Sequence, residues 1–160
     1  MALFRMTDFL SIAVKDEETG VAFYTGCANS VKNRDLKSAF IKMADQERVH
    51  AERFKKMGTE VKEHKNIEGY GGEYESYMNQ FLKVRAFPEP ADAAKKAQAI
   101  KSDFEAIEIA LRMEKDTLLF YHEMLSFIPQ THQKYIEDII KEERTHVNQL
   151  TDLSNTMRTL

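Results

Sequence analysis

Residues 46–54 read QERVHAERF and residues 142–150 read EERTHVNQL. Each stretch holds a Glu-x-x-His pair, Glu47 with His50 and Glu143 with His146. Around both pairs apolar residues recur in alternating steps of four and three. Leu36, Phe40 and Met43 lead into Glu47 and His50, and Phe54 and Met57 carry the stripe on. Ile136 and Ile139 lead into Glu143 and His146, and Leu150, Leu153 and Met157 follow. That period marks one face of an amphipathic helix, the face a helix buries. Residues at i and i+3 share a face, so each Glu points where its His points. Carboxylates and imidazoles thus stand in line with core residues, and the rest of the chain has to account for them.

Two further stripes have the same period. One runs Leu10, Val14, Glu17, Val21, Tyr24, Ala28, Val31, and the other Ile107, Leu111, Glu114, Leu118, Tyr121, Leu125, Ile128. Glu17 and Tyr24 map onto Glu114 and Tyr121 at an offset of 97, and the two Glu-x-x-His pairs map at an offset of 96. A repeat of this kind predicts a pseudo-twofold pair of helical hairpins. The expected fold is therefore all-α: a four-helix bundle of two antiparallel hairpins in a single domain over 1–160, with helices at roughly 7–31, 35–57, 102–128 and 131–157.

Local signals place the ends. Thr7 and Asp35 are candidate N-caps, and Gly58 is a candidate left-handed C-terminal residue. Ser102 with Glu105 reads as a capping box, Pro129 as a helix stop and Thr131 as the next start. The link 58–101 is long enough to cross the length of the bundle. It is expected to hold one short helix, from about Glu73 to Ala86, between GYGG at 69–72 and PEP at 88–90.

Composition narrows the function. With 42% hydrophobic and 31% charged residues and a net charge of −3, the chain reads as a soluble globular protein without a nucleic-acid-binding surface. No apolar run reaches the ~18–20 residues that span a bilayer. The start MALFRMTDFL lacks the pattern of a secretory signal, so the expected compartment is the cytoplasm. One cysteine, Cys27, rules out an internal disulfide and a four-Cys metal site, and reads as a packing residue. His64, His122 and His132 lack matching carboxylates and read as surface or cap residues.

An isolated buried carboxylate costs several kcal/mol or takes up a proton, and no Lys or Arg lies on the four stripes to neutralise Glu17, Glu47, Glu114 and Glu143. Two divalent cations balance four carboxylates. Two Glu can bridge such ions while each ion keeps one terminal Glu and one His, the known ligand layout of di-iron and di-manganese carboxylate bundles. Oxygen-rich sites with one imidazole per ion suit iron, with manganese as the other candidate. The metal-free alternative is a helical interaction module. Tyr24 and Tyr121 read either as core residues with a polar tip or as donors to the ligand carboxylates.

The stretches DEETGVAFY (16–24), ADQERVHAERF (44–54), RMEKDTLLFYHEM (112–124) and KEERTHVNQL (141–150) resemble the rubrerythrin family of the ferritin-like superfamily. The resemblance implies a ferritin-like bundle with Glu17, Glu47, His50, Glu114, Glu143 and His146 as iron ligands, and reduction of hydrogen peroxide at a di-iron centre. Two departures follow from the residues. The single cysteine of these 160 residues cannot build the four-Cys rubredoxin-like module of rubrerythrins, so electrons are expected from a separate donor protein. Thr117 stands where rubrerythrins carry an additional Glu, and its repeat partner is Gly20. The pair is expected either to allow close helix packing or to leave a pocket for a small oxidant. The leading expectation is a redox protein acting on peroxide or oxygen, with ferroxidation or iron storage as the alternative. Apolar residues off the stripes, Phe9, Phe23, Ile109, Leu119 and Phe127, suggest a homodimer, with exchange of helix pairs through the long link as one form of it.

Overall fold

The computed structural model describes residues 6–60, 72–84, 89–126 and 128–159. They form α1 (Met6–Ser30), α2 (Arg34–Glu60), α3 (Gly72–Lys83), α4 (Pro90–Ala99), α5 (Asp103–Leu125) and α6 (Gln130–Arg158), with no strand among the described residues. The four long helices are the predicted ones. α1 packs along α2 and α5 along α6, and the two hairpins meet through α2 with α6 and α1 with α5. No described helix is long and apolar enough to cross a membrane.

The α1–α2 turn is held from the other hairpin. Asp103 accepts from the backbone N–H groups of Lys32 and Asn33 at 2.9 and 2.8 Å. Asn33, not Asp35, caps α2: its Oδ1 accepts from the N–H groups of Asp35 and Leu36 at 2.9 and 3.0 Å. An N-cap side chain must reach the second and third helical N–H groups, and Asp35 is already inside the first turn. Gly58 does not end α2, which continues to Glu60. A single Gly costs only about 1 kcal/mol, which a long packed helix absorbs. Thr7 lies inside α1, and the residues before Met6 are outside the described ones.

Ser102 does cap α5, its Oγ accepting from Glu105 N–H at 3.1 Å. The reciprocal half of the box is absent, because the Glu105 carboxylate accepts from Lys101 N–H and pairs with Lys96 instead. α6 begins after Pro129, with no side-chain cap, so Thr131 is a first-turn residue and not the start. Gln133 Nε2 closes that turn by donating to the Leu125 and Ile128 carbonyls, both at 3.1 Å.

Among the described residues the crossover holds two helices, not one. α3 matches the predicted segment, apart from ending at Lys83; Gly69 to Gly71 of GYGG and Pro88 of PEP fall outside the described residues. α4 was expected to be loop. Pro90 sits at its first position, where a fixed φ and a missing N–H are harmless, and the Ala-rich run that follows has high helix propensity. α4 lies on α1 so closely that a Cβ on Gly26 would come 2.5 Å from Ala97 Cβ. α3 meets α5 through aromatics: Met78 is fully buried, and Phe81 stacks on Phe120 with ring centroids 6.5 Å apart.

Apolar side chains form two clusters. One contains Phe9, Phe54, Met78, Phe120, Tyr121 and Ile136, and the other contains Phe23, Tyr24, Leu36, Phe40, Ile107 and Leu150. Each large side chain so buried contributes about 1.5–3 kcal/mol. On every bundle helix the acidic residues fall between the stretches that feed the two clusters. Phe9 and Phe23, off the predicted stripes, are fully buried within the chain, in the clusters that α3 and α4 respectively complete. Ile109 is half-buried, Leu119 is 47% exposed, and Phe127 lies outside the described residues.

Candidate metal centre

Six of the predicted residues meet at mid-height. Glu17, Glu47, Glu114, Glu143, His50 and His146 are all buried, with the two histidines and Glu143 fully so. They fall into two groups whose ligand-type atoms lie within 4.8 Å of one another: Glu17, Glu47, His50 and Glu143, and Glu47, Glu114, Glu143 and His146. Glu47 and Glu143 are common to both. Glu143 turns Oε1 towards His50 Nδ1 at 2.8 Å and Oε2 towards His146 Nδ1 at 2.9 Å. Glu47 turns Oε2 towards His50 Nδ1 at 3.5 Å and Oε1 towards His146 Nδ1 at 3.3 Å. Glu17 reaches only His50, at 3.5 Å, and Glu114 only His146, at 3.4 Å. The imidazoles face each other with ring centroids 6.3 Å apart.

These short distances lack hydrogen-bond alignment. His50 Nδ1, His146 Nδ1 and both Glu143 oxygens are buried without a hydrogen-bond partner. Orphaned buried polar atoms of this kind need an explanation. All four are atoms of a kind that binds metals, gathered within 4.8 Å in each group, so the residues present fit two divalent cations: the carboxylates can carry four negative charges, and the set offers one imidazole for each ion.

The outer faces of the ligand-type residues are satisfied. Tyr24 donates to Glu114 Oε1, and Tyr121 donates to Glu17 Oε1. Each phenol crosses to the carboxylate of the other half. His50 Nε2 contacts Glu142 Oε2 at 2.9 Å, and Arg53 donates to Glu142 Oε1 at 2.8 Å. His146 Nε2 contacts Gln46 Oε1 at 3.2 Å. The acceptors Glu142 and Gln46 favour a hydrogen on each Nε2, so that the neutral ring presents Nδ1 inward.

Without a cation, protons compensate the charge. Burial raises Glu17, and repulsion from Glu47 and Glu143 adds to it. Burial and Glu143 raise Glu114 to about 8. Burial alone would raise Glu47, but its contacts with Glu17 and both histidines outweigh that and hold it low. Burial opposes charging His50 and His146, yet the carboxylates around each push both well above the ordinary imidazole value. Burial and neighbouring carboxylates raise Tyr24 and Tyr121, which therefore stay neutral phenols. Burial likewise lifts the Cys27 thiol to about 12, so it packs and does not react.

Gly20 answers one of the open alternatives. A Cβ there would lie 3.0 Å from Glu47 Cγ and 3.3 Å from Cδ, so the Glu47 side chain fills the space beside Gly20. Close approach of a buried carboxylate is the reason for glycine at this position. Thr117 is half-buried.

Glu142, Gln46 and Arg53 were not among the predicted site residues. Their signal is faint in sequence: Glu142 and Gln46 each immediately precede a stripe Glu, and Arg53 lies three residues after His50.

The all-helical bundle and its buried carboxylate–histidine cluster define a ferritin-like diiron-carboxylate fold. Within it, the chain belongs to the rubrerythrin family, whose model matches residues 8–154. Among solved structures, a protein from Thermotoga maritima described as a ferritin-like diiron-carboxylate protein is similar over 97% of each chain, with 26% identity and a TM-score of 0.69. Comparison with curated proteins gives no match.

Proposed function

We propose that the protein binds two iron ions through Glu17, Glu47, His50, Glu114, Glu143 and His146 and reduces hydrogen peroxide or oxygen with electrons from a separate donor protein. The observation that carries this reading is the pair of ligand groups sharing Glu47 and Glu143, with unsatisfied Nδ1 and carboxylate atoms aimed inward. When bound, two ferrous ions supply the two electrons that, with two protons, turn one peroxide into two waters, and they act as Lewis acids on the substrate oxygens.

The chain's own residues set the conditions. Glu47 and Glu143 contact both histidines and would be shared by the two ions, while Glu17 and Glu114 would each serve one. Tyr24 and Tyr121 each orient a terminal carboxylate by donating to one of its oxygens; in Glu17 the other oxygen faces His50, whereas in Glu114 the same Oε1 faces both Tyr24 and His146. As neutral phenols they also keep a hydroxyl proton beside the site. The apolar clusters on either side exclude bulk water, which strengthens every charge interaction between them. Manganese satisfies the same donor set.

Rapid mixing of the anaerobically reduced, iron-loaded protein with peroxide and with oxygen tests the reading. Faster oxidation by peroxide is expected. Equal or slower oxidation by peroxide removes the peroxidase assignment, and failure to bind iron removes the redox reading altogether.

A further inference from the structure

Resting on the two-iron reading, we infer that the two metal positions are unequal and that Glu142 makes them so. It acts as a positioning residue on His50, for which Gln46 is the weaker counterpart on His146. The inner contacts of the two groups match closely. Each has one terminal Glu held by a tyrosine of the opposite half, one imidazole with Nδ1 inward, and a share in Glu47 and Glu143. The outer contacts differ. Glu142 and Gln46 are equivalent positions of the repeat, 96 residues apart, and each meets the Nε2 of the other half's histidine. One is a carboxylate at 2.9 Å and the other an amide oxygen at 3.2 Å.

A carboxylate accepting from the distal nitrogen makes an imidazole a more basic ligand and fixes its ring, and losing such a partner weakens metal binding by about 10–100-fold. A neutral amide orients the ring without adding negative charge. Arg53 reinforces the difference: it holds Glu142 Oε1, so that Oε2 faces His50, and its repeat equivalent is Gln149. Arg53 and Glu142 are both part-exposed, at 42% and 35%, and it is the carboxylate that touches His50 directly. The Arg53–Glu142 pair thus places a charged pair beside His50, where Gln46 gives His146 only a neutral amide. The ion beside His50 is therefore the tighter of the two.

Anaerobic calorimetric titration of the metal-free chain with ferrous iron alone tests this. Shared carboxylates can by themselves produce two binding steps, so the variants decide. Glu142→Gln keeps the size and the hydrogen-bond acceptor and removes only the charge; it is expected to weaken the tighter step by about 10–100-fold and leave the weaker step in place. Gln46→Glu adds the charge on the other side and is expected to strengthen the weaker step by a comparable factor. Because the second variant adds a contact, it reports even where the first folds poorly. Unchanged spacing of the two steps in both variants overturns the inference while leaving the two-iron site standing. No uptake of iron by the parent chain overturns both.

Discussion

Gly26 and Glu123 occupy equivalent positions in the two halves, 97 residues apart, and they receive their neighbours in opposite ways. Gly26 has no side chain because α4 comes down directly on it, with Ala97 Cβ 2.5 Å from where a Cβ would be. Glu123 extends a long side chain to α3, where Tyr77 donates to it at 3.4 Å. At the buried cluster the halves agree: Glu17 with Glu114, Tyr24 with Tyr121, Glu47 with Glu143, His50 with His146. The difference teaches where the repeat is constrained. The carboxylate and imidazole atoms of the cluster meet within 4.8 Å, so a changed residue there breaks the charge balance. The outer faces meet different crossover helices and solvent, and nothing requires them to match.

The largest break in the inner symmetry comes from the shared carboxylates. Glu143→Ala or Glu47→Ala should abolish binding at both positions, because each belongs to both ligand groups. Glu17→Ala or Glu114→Ala should cost one ion and spare the other. Metal analysis after reconstitution with iron separates the cases, and equal losses from all four variants would contradict the bridging assignment.

Proton compensation gives the next effect. The folded, metal-free chain holds Glu114 up to about 8 against an ordinary value of 4.5, and holds both histidines raised. The folded state therefore binds more protons than the unfolded state between pH 5 and 8. A raised group contributes stability that is fully present below its unfolded value and lost as pH rises through the folded one, so stability falls with rising pH. The melting temperature of metal-free protein should drop by at least about 5 °C from pH 5 to pH 8, the shift expected for a loss of roughly 2 kcal/mol. Loaded protein should show the opposite slope, since its ligands must be deprotonated. A flat metal-free profile would argue against the proton-filled cluster.

Smaller still are the crossed tyrosines. Tyr24→Phe and Tyr121→Phe each remove the donor to a buried carboxylate and should destabilise loaded protein by about 1–3 kcal/mol in chemical denaturation. Similar costs for the two would sharpen the inner symmetry, and a large disparity would break it.

The outer comparison carries the smallest effect. Gly26→Ala gains about 1 kcal/mol of helix propensity but forces α4 away at an overpacking cost of about 1–3 kcal/mol, for a net loss near 1 kcal/mol. Glu123→Ala, at a half-buried position, should cost less. Thermal melts of the two variants check the order, and a stabilised Gly26→Ala protein would show that α4 shifts freely on α1.

Sequence alone determined the four long helices, their pairing and the six Glu and His residues that meet in the buried cluster. The reason is periodicity: a residue's place on a helix face follows from its number, so a stripe that interrupts Phe, Met and Ile with Glu and His identifies both the core and the groups buried in it. Tertiary structure decided what depends on distance between elements. α4 is short and Ala-rich, and its docking depends on the gap left by Gly26, which no local pattern announces. Asn33 replaced Asp35 as the cap of α2 because Asp103, 70 residues away from Asn33, fixes the turn. Gly20 was legible as an anomaly, but only the fold showed that the Glu47 side chain occupies its missing volume. Glu142 and Gln46 lie beside the stripe, where a residue is equally able to face solvent or a neighbouring helix. The rotation of α2 against α6 settles that choice, and it places one charge where the repeat has none.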